Sequence, residues 1–235
     1  MTEKITTRQS LPASIEQVTV ASNLTEGKTV DLATGVIRLQ YWESILQDGI
    51  RATVMYGDSG NTVKKIEGEE LTSAIDGLPI VGQERVQLKF TDNNEESLEL
   101  IMYVNKVKPF YDDSTKSAVA LDLASKEFIM NEKVRVTKRY DGKVSEHVKT
   151  ILEDVLKTDK DLDIEETQNN YNFLGLNKKP YYILNYLSKA SVPSTQNSDG
   201  NTAGYFFYET SKGYNFKSID TLLSQEKKKS IIYNE

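Results

Sequence analysis

The sequence predicts a β-dominated α+β protein: an antiparallel β-barrel or sandwich, then a small α+β domain with two helices and an aromatic hairpin. Three observations carry this. From Val30 to Tyr140 apolar residues recur at period two, in short runs parted by turn residues. After Tyr140 the apolar period lengthens to that of a helix. From Gly204 the chain returns to alternation in the aromatic stretch GYFFYETSKGYNFKSIDTLL.

The elements follow in order. Residues 1–29 are polar and rich in Ser and Thr, an extended arm with at most one short strand, Gln17 to Ala21. In the 30–140 domain, Val36 to Tyr41 forms a first strand. Ile50, Ala52, Val54 and Tyr56 share one face of a second, which GDSGN then turns. Val86, Leu88 and Phe90 share a face before the turn TDNNEE. Leu98, Leu100, Met102 and Val104 share the next, and Val119, Leu121 and Leu123 another. Val134 and Val136 open a last strand before Asp141-Gly142. Several short antiparallel strands with one solvated face favour a barrel or sandwich.

In the 141–225 domain, Val148, Ile151, Leu152, Val155 and Leu156 form one helical stripe, with Ser145 as N-cap. A second helix begins at Pro180, which suits a first helical turn, and Val192-Pro193 ends it. After the loop STQNSDGNT comes a hairpin of Tyr205–Thr210 and Tyr214–Ile219, turned on Ser211-Lys212-Gly213, with a short exit to Leu223. Residues 226–235 are a tail or the start of a further β domain.

Composition excludes several classes of function. The chain has 235 residues, 38% apolar and 27% charged, a globular balance. Its net charge of −6 disfavours gripping nucleic acid, which needs clustered Lys and Arg. There is no cysteine, so thiolate chemistry and disulfides are excluded. No apolar run reaches membrane-spanning length, and MTEKITTRQSLPAS lacks the apolar segment of a secretory signal.

No catalytic, cofactor or metal set emerges. His147 is the single histidine and reads as a surface helix residue beside Glu146. Asp159, Asp161 and Asp163 open like a calcium loop. Ile164 then stands where glycine is needed, and Asn170 where a bidentate glutamate is needed. An edge strand with Leu162 and Ile164 inward is the better reading. Asp92, Glu95 and Glu96, with Asp112 and Asp113, read as solvated turns, and Lys227–Lys229 as a solvated run. No phosphate-binding loop, nucleophile elbow or dinucleotide glycine pattern is present.

The hairpin puts Tyr205 and Phe207 on one face and Phe206 and Tyr208 on the other, so both faces need cover. One face is expected on the helices and the other on the barrel or a neighbouring subunit. The interface candidates are therefore Tyr205, Phe207, Tyr214 and Phe216, with Tyr41 and Trp42 at the end of the first strand. A base-stacking platform would bring basic residues, whereas Glu209 and Asp220 stand here.

GYFFYETSKGYNFKSIDTLL and the helix before it, KKPYYILNYLSKAS, resemble segments of contractile-tail bacteriophage baseplate hub proteins. YWESILQDGIRATVMYGDSGN is similar to that family's first hairpin, with Glu43, Ser44 and Ile45 at its centre. GLPIVGQERVQLKF resembles its next element through Pro79, Gly82 and Glu84. The resemblance covers about residues 30 to 225. It implies a barrel of the tail-tube type and a homotrimer at the centre of the virion's baseplate, assembled in the host cytoplasm. It further implies a tail tube or tube-initiator protein, a central spike and wedge proteins as partners. The lumen would pass DNA without specific binding. The family carries a second tube-type barrel, expected here from another chain or from sequence beyond Glu235. Other readings of the residues are a tail-associated enzyme cutting cell wall with an acidic pair, a non-ring adaptor, and a carbohydrate-binding module.

Overall fold

The computed structural model describes residues 13–24, 26–58, 63–64, 71–78, 80–92, 96–112, 117–194 and 204–226. Ser59 to Asn61, Pro79, Glu95, Asp113, the loop 195–203 and Lys227–Lys229 lie outside them, as do most of the expected arm and tail. The chain forms two units. The first takes Met1–Trp42 and Arg51–Lys126, the second Glu43–Ile50 and Glu127–Glu235. The division falls after Lys126, ahead of the period change at Tyr140, and the β3–β4 connection belongs to the second unit.

The first unit is built on strands β1 (Ser14–Ala21), β2 (Thr29–Asp31), β3 (Val36–Trp42) and β4 (Arg51–Asp58). A two-strand ribbon, β5 (Val63–Lys64) and β6 (Leu71–Thr72), and a short helix α1 (Ala74–Gly77) follow. Then come β7 (Arg85–Thr91), β8 (Ser97–Asp112) and β9 (Ser117–Ala124). Seven strands pair antiparallel in the order β2-β1-β7-β8-β9-β4-β3. Alternation decides which face is buried. Ala52, Val54, Tyr56, Val86, Leu88, Leu100, Met102, Val104, Val119, Leu121 and Leu123 are all buried, joined by Val18 and Val20 of β1. The short strand expected within the arm at Gln17 to Ala21 is present and starts earlier, at Ser14; it is not part of a loose arm but an interior strand paired on both edges.

The sheet must curl, and chain length shows why. β2 and β3 are its two edges, yet only Leu32–Gly35 joins them. Six strand spacings across a flat sheet would separate them by ~29 Å. The five steps from Asp31 to Val36 reach at most ~18 Å. Rings confirm the curl. Tyr41 on β3 lies 6.1 Å from Phe90 on β7, four spacings away in strand order, or ~19 Å if flat. The result is a curled half-barrel.

β8 runs past its partner. It pairs with β7 only as far as Tyr103, then continues along β9 through two register shifts to Asp112. The shifts break alternation and let Pro109 sit where one side of the strand has no ladder partner among the described residues.

After the loop Glu43–Ile50, the second unit takes up α2 (Lys126–Lys133) from Glu127 onward, followed by β10 (Arg139–Tyr140). Helix α3 (Val144–Thr150) continues as a π-helical turn over Ile151–Val155. Then come β11 (Asp161–Ile164), β12 (Phe173–Leu174), α4 (Pro180–Ala190), the hairpin β13 (Tyr205–Thr210) and β14 (Gly213–Ser218), and α5 (Ile219–Leu223). The strand expected at Val134–Val136 reduces to a single bridge from Val136 to Lys178. Of the expected stripe, Val148, Ile151, Leu152 and Leu156 are buried and Val155 is half-buried; Val144 joins them in one core with Ile183, Leu184 and Leu187 of α4. Pro180 takes the first helical turn as expected. Ser145 does not cap. Lys143 holds the N-cap position, while the buried Ser145 Oγ accepts from the Thr167 amide at 3.3 Å.

β11 joins β14 in parallel, so the hairpin becomes a three-stranded sheet with β11 at one edge. This contact explains Gly213. A Cβ there would stand 2.1 Å from the Asp161 carbonyl oxygen, and its φ of +143° already disfavours other residues. The turn itself is Ser211-Lys212, with Gly213 paired to Thr210.

Candidate functional site

The most unusual chemistry lies inside the second unit. Glu127, at the start of α2, and Glu209, near the end of β13, are both closed to solvent. Lys160 reaches in between them. Its Nζ lies 2.9 Å from Glu127 Oε2 and also pairs with Glu209 Oε1. The remaining carboxylate oxygens are satisfied: the Thr158 hydroxyl donates to Glu127 at 2.7 Å, and the Ile50 amide donates to Glu209 at 2.9 Å. Burial opposes the charge on Lys160, but Glu209 and Glu127 outweigh it and hold the ammonium above its usual range. Below lies the Tyr214 ring, 5.7 Å from Lys160 Nζ. Its hydroxyl shares a 2.7 Å hydrogen bond with that of Tyr181. Burial pushes the Tyr214 hydroxyl well above its ordinary range.

This knot joins four stretches of chain. The loop Glu43–Ile50 is held twice more: the Ser211 amide donates to Glu43 Oε2 at 3.0 Å, and Asn185 Nδ2 donates to Asp48 Oδ1 at 2.8 Å. Outside it, an open groove of about 460 Å3 is lined by Glu43, Asp161, Asp163, Lys212 and Lys217 among others. Two carboxylates closed to solvent and held by one lysine, the Thr158 hydroxyl and the Ile50 amide can fix a structure.

The interface candidates are placed as follows. Tyr205, Phe207, Tyr214 and Phe216 are all buried in the second unit's own core. Phe207 stacks on Tyr214 at 5.7 Å, and Tyr205 lies 4.8 Å from Phe216. The hairpin's apolar character thus serves packing inside the unit. Tyr41 meets Phe90 within the first unit, while Trp42 is 42% exposed at the end of β3.

His147 corrects its surface reading. It is buried, edge-on to Tyr140 and Phe173, with Nε2 donating to the Tyr171 carbonyl at 2.9 Å. Asp161 and Asp163 are exposed on edge strand β11, as the edge-strand reading requires. Among the described residues, no three of His, Asp or Glu are grouped to hold a metal ion. No helix among them is long and apolar enough to cross a membrane. Glu84 is buried and accepts from the Val81 and Gly82 amides at 2.7 and 2.9–3.0 Å, holding the loop before β7.

Sequence reading missed the knot. One signal was present: Glu209 shares the inward phase of Tyr205 and Phe207, so it had to be either buried with a cation or a break in the strand.

No family model matches the chain, and no curated protein matches it. Solved structures do. A 43 kDa tail protein of prophage MuSo2 from Shewanella oneidensis superposes with a TM-score of 0.57 at 10% identity, over 87% of this chain and 53% of that one. The fold is similar to that of tail proteins. The tail protein from Neisseria meningitidis MC58 gives 0.52 at 8% identity, over 88% and 50%. A chain of the Francisella PdpA–VgrG complex gives 0.51 at 11% identity, over 93% and 30%. The chain thus spans about half the length of the two tail proteins it resembles.

Proposed function

We propose that this chain is a non-enzymatic structural subunit of a phage tail baseplate hub, joining the tail tube to the central spike and lining the conduit for DNA. The observation that carries the reading is the shared fold. Over 87% of its length the chain matches a prophage tail protein. The first unit adds physical support. Among the described residues its curled sheet leaves β3 with no strand partner on its outer edge, and β8 with no strand partner on one side beyond Val104, which still exchanges backbone hydrogen bonds with Gln83 and Glu84. Such edges invite strands from elsewhere. A ring of copies, taken as a homotrimer, would cover them through heterologous contacts that close on themselves. Exposed Trp42, at the end of β3, stands beside one such edge.

The second unit supports a mechanical role over a catalytic one. Its buried acidic pair, Glu127 and Glu209, is spent on Lys160. An enzyme using an acidic pair needs at least one carboxyl open to a sugar.

Gold labelling of this chain in intact particles tests the reading. Label at the axis of the distal tail end is expected; label along the sheath or on fibres contradicts it. A peptidoglycan zymogram of the purified chain is expected to stay blank, and clearing would replace the structural reading with the enzymatic one.

A further inference from the structure

Charge is divided unevenly in the second unit. Lys133, Arg135, Lys138 and Arg139, with Lys178 and Lys179, set six cations against Glu132 and Asp141, in a chain of net charge −6. From Glu153 to Glu166 the balance reverses, seven carboxylates against two lysines.

The backbone gathers the cations onto one surface. The Val136 amide donates to the Lys178 carbonyl at 2.9 Å, and the Gly175 amide donates to that of Lys138 at 3.0 Å. Gly175 makes this approach possible, because a Cβ there would stand 2.4 Å from the Val136 carbonyl oxygen. The next two residues, Leu176 and Asn177, both take left-handed φ values of +46° and +57°. Such backbone is rare for leucine and is retained only where the surroundings impose it. It holds Leu176 at the tip of the turn, 69% exposed, with Leu174 and Tyr182 exposed as well. Lys178 Nζ lies 5.5 Å from the Tyr182 ring. An apolar centre is thus rimmed by Arg135, Lys138 and Lys178, which make no salt bridge among the described residues.

The acidic surface is built around β11, whose second edge has no partner among the described residues. Asp154, Asp159 and Asp161 are exposed there and make no salt bridge among the described residues. Lys160, the cation in their midst, is turned inward and consumed by Glu127 and Glu209. The two surfaces lie at opposite ends of α2: Glu127 at its start binds Lys160, and Lys133 at its end leads into Arg135. Eight helical residues span ~12 Å.

A unit acidic at one end, and basic with an apolar centre at the other, complements the next copy of itself in a head-to-tail sense. We propose that the basic patch around Leu176 docks onto the acidic β11 edge of a second copy of this chain. Apolar contact at the centre and a complementary charged rim are the usual anatomy of such an interface. One direction of contact per copy is what a ring requires. The inference rests on the ring reading above and names the surface that would close it.

Sedimentation velocity of the full chain tests it with two double variants, Lys138→Glu/Lys178→Glu and Asp159→Lys/Asp161→Lys. All four side chains are exposed, and circular dichroism confirms folding. Wild type is expected to self-associate, more tightly at low salt. Each variant is expected to weaken association by about tenfold or more, and an equimolar mixture of the two to recover pairwise association but not closed trimers, because each variant's altered surface meets its complement only on the other variant. Wild-type assembly untouched by both variants overturns this interface and leaves the ring reading standing. Wild type that stays monomeric at every concentration overturns both.

Discussion

The two units reach stability by different means. The first buries an almost wholly apolar face, with Asp58, Glu84 and Ser125 as its buried polar residues. Its polar groups meet on the other side of the sheet, as in the Thr53–Asp122 and Gln87–Glu99 hydrogen bonds. The second buries Glu127, Asn131, Ser145, His147, Thr167, Glu209 and Ser218 among its aromatics. An apolar sheet face tolerates exchange of one aliphatic residue for another of similar volume. A buried charge knot tolerates almost none, because losing one member strands the others. The first unit is accordingly specified by pattern, and the second by particular partners.

The sharpest way to break that contrast is Lys160→Met. It leaves two carboxylates buried without a cation, and a loss of about 3–5 kcal/mol is expected. Urea unfolding followed by the second unit's tyrosine fluorescence measures it; a loss below about 1 kcal/mol would mean the knot is not specifying the unit. Leu121→Ala in the first unit comes next, at about 2–5 kcal/mol for the cavity it opens. Leu121→Met is expected to recover most of that loss, whereas Lys160→Arg is not expected to recover the knot. Gly213→Ala follows, with about 1–3 kcal/mol from backbone strain, plus the displacement of β11 by a Cβ facing the Asp161 carbonyl.

The pH response is a subtler measure. Burial raises the hydroxyls of Tyr56, Tyr140, Tyr205 and Tyr208, as well as Tyr214, above the ordinary tyrosine range. Lys160 is also raised. A folded-state value above the unfolded one favours the protonated native form. That stability is fully present below about pH 10 and is lost as pH climbs through the folded values. Unfolding midpoints are therefore expected to hold level up to about pH 10 and then fall, with ionisation of these five tyrosines appearing together with unfolding. Ionisation of these five in the native protein near pH 10 would contradict the packing. The smallest effect belongs to the surface pair of Arg139 and Asp141. Arg139 holds the Asp141 carboxyl below its usual range, yet both side chains are mostly exposed, so Arg139→Ala is expected to leave the midpoint unchanged.

The same contrast decides what was legible. In β4, β7 and the first half of β8 the inward residues announced themselves by period two, because one face is core and the other meets water; in β9 Val119, Leu121 and Leu123 did so, while Ala120 and Ala124 are buried off that phase. The extension of β8 to Asp112 was hidden by two register shifts and by Pro109. β1 was legible only as a short strand from Gln17 to Ala21, and its start at Ser14 and its place inside the sheet were hidden, since only Val18 and Val20 of its residues are fully buried. Helix α2 left no apolar stripe to find, for its buried face consists of Glu127 and Asn131. Asn131 Oδ1 accepts from the Tyr181 amide at 2.8 Å, a partner 50 residues away. The parallel pairing of β11 with β14 was equally hidden, although Gly213 marks it. Pattern reveals burial against water. It does not reveal which charge meets which.

We propose that copies of this chain close around an axis, lending one another sheet edges. Two-dimensional class averages of the purified full chain, imaged at a concentration where it associates, test that most directly. A closed ring with a central opening is the predicted result. A field of isolated 26.6 kDa particles, unchanged as concentration rises, would contradict it.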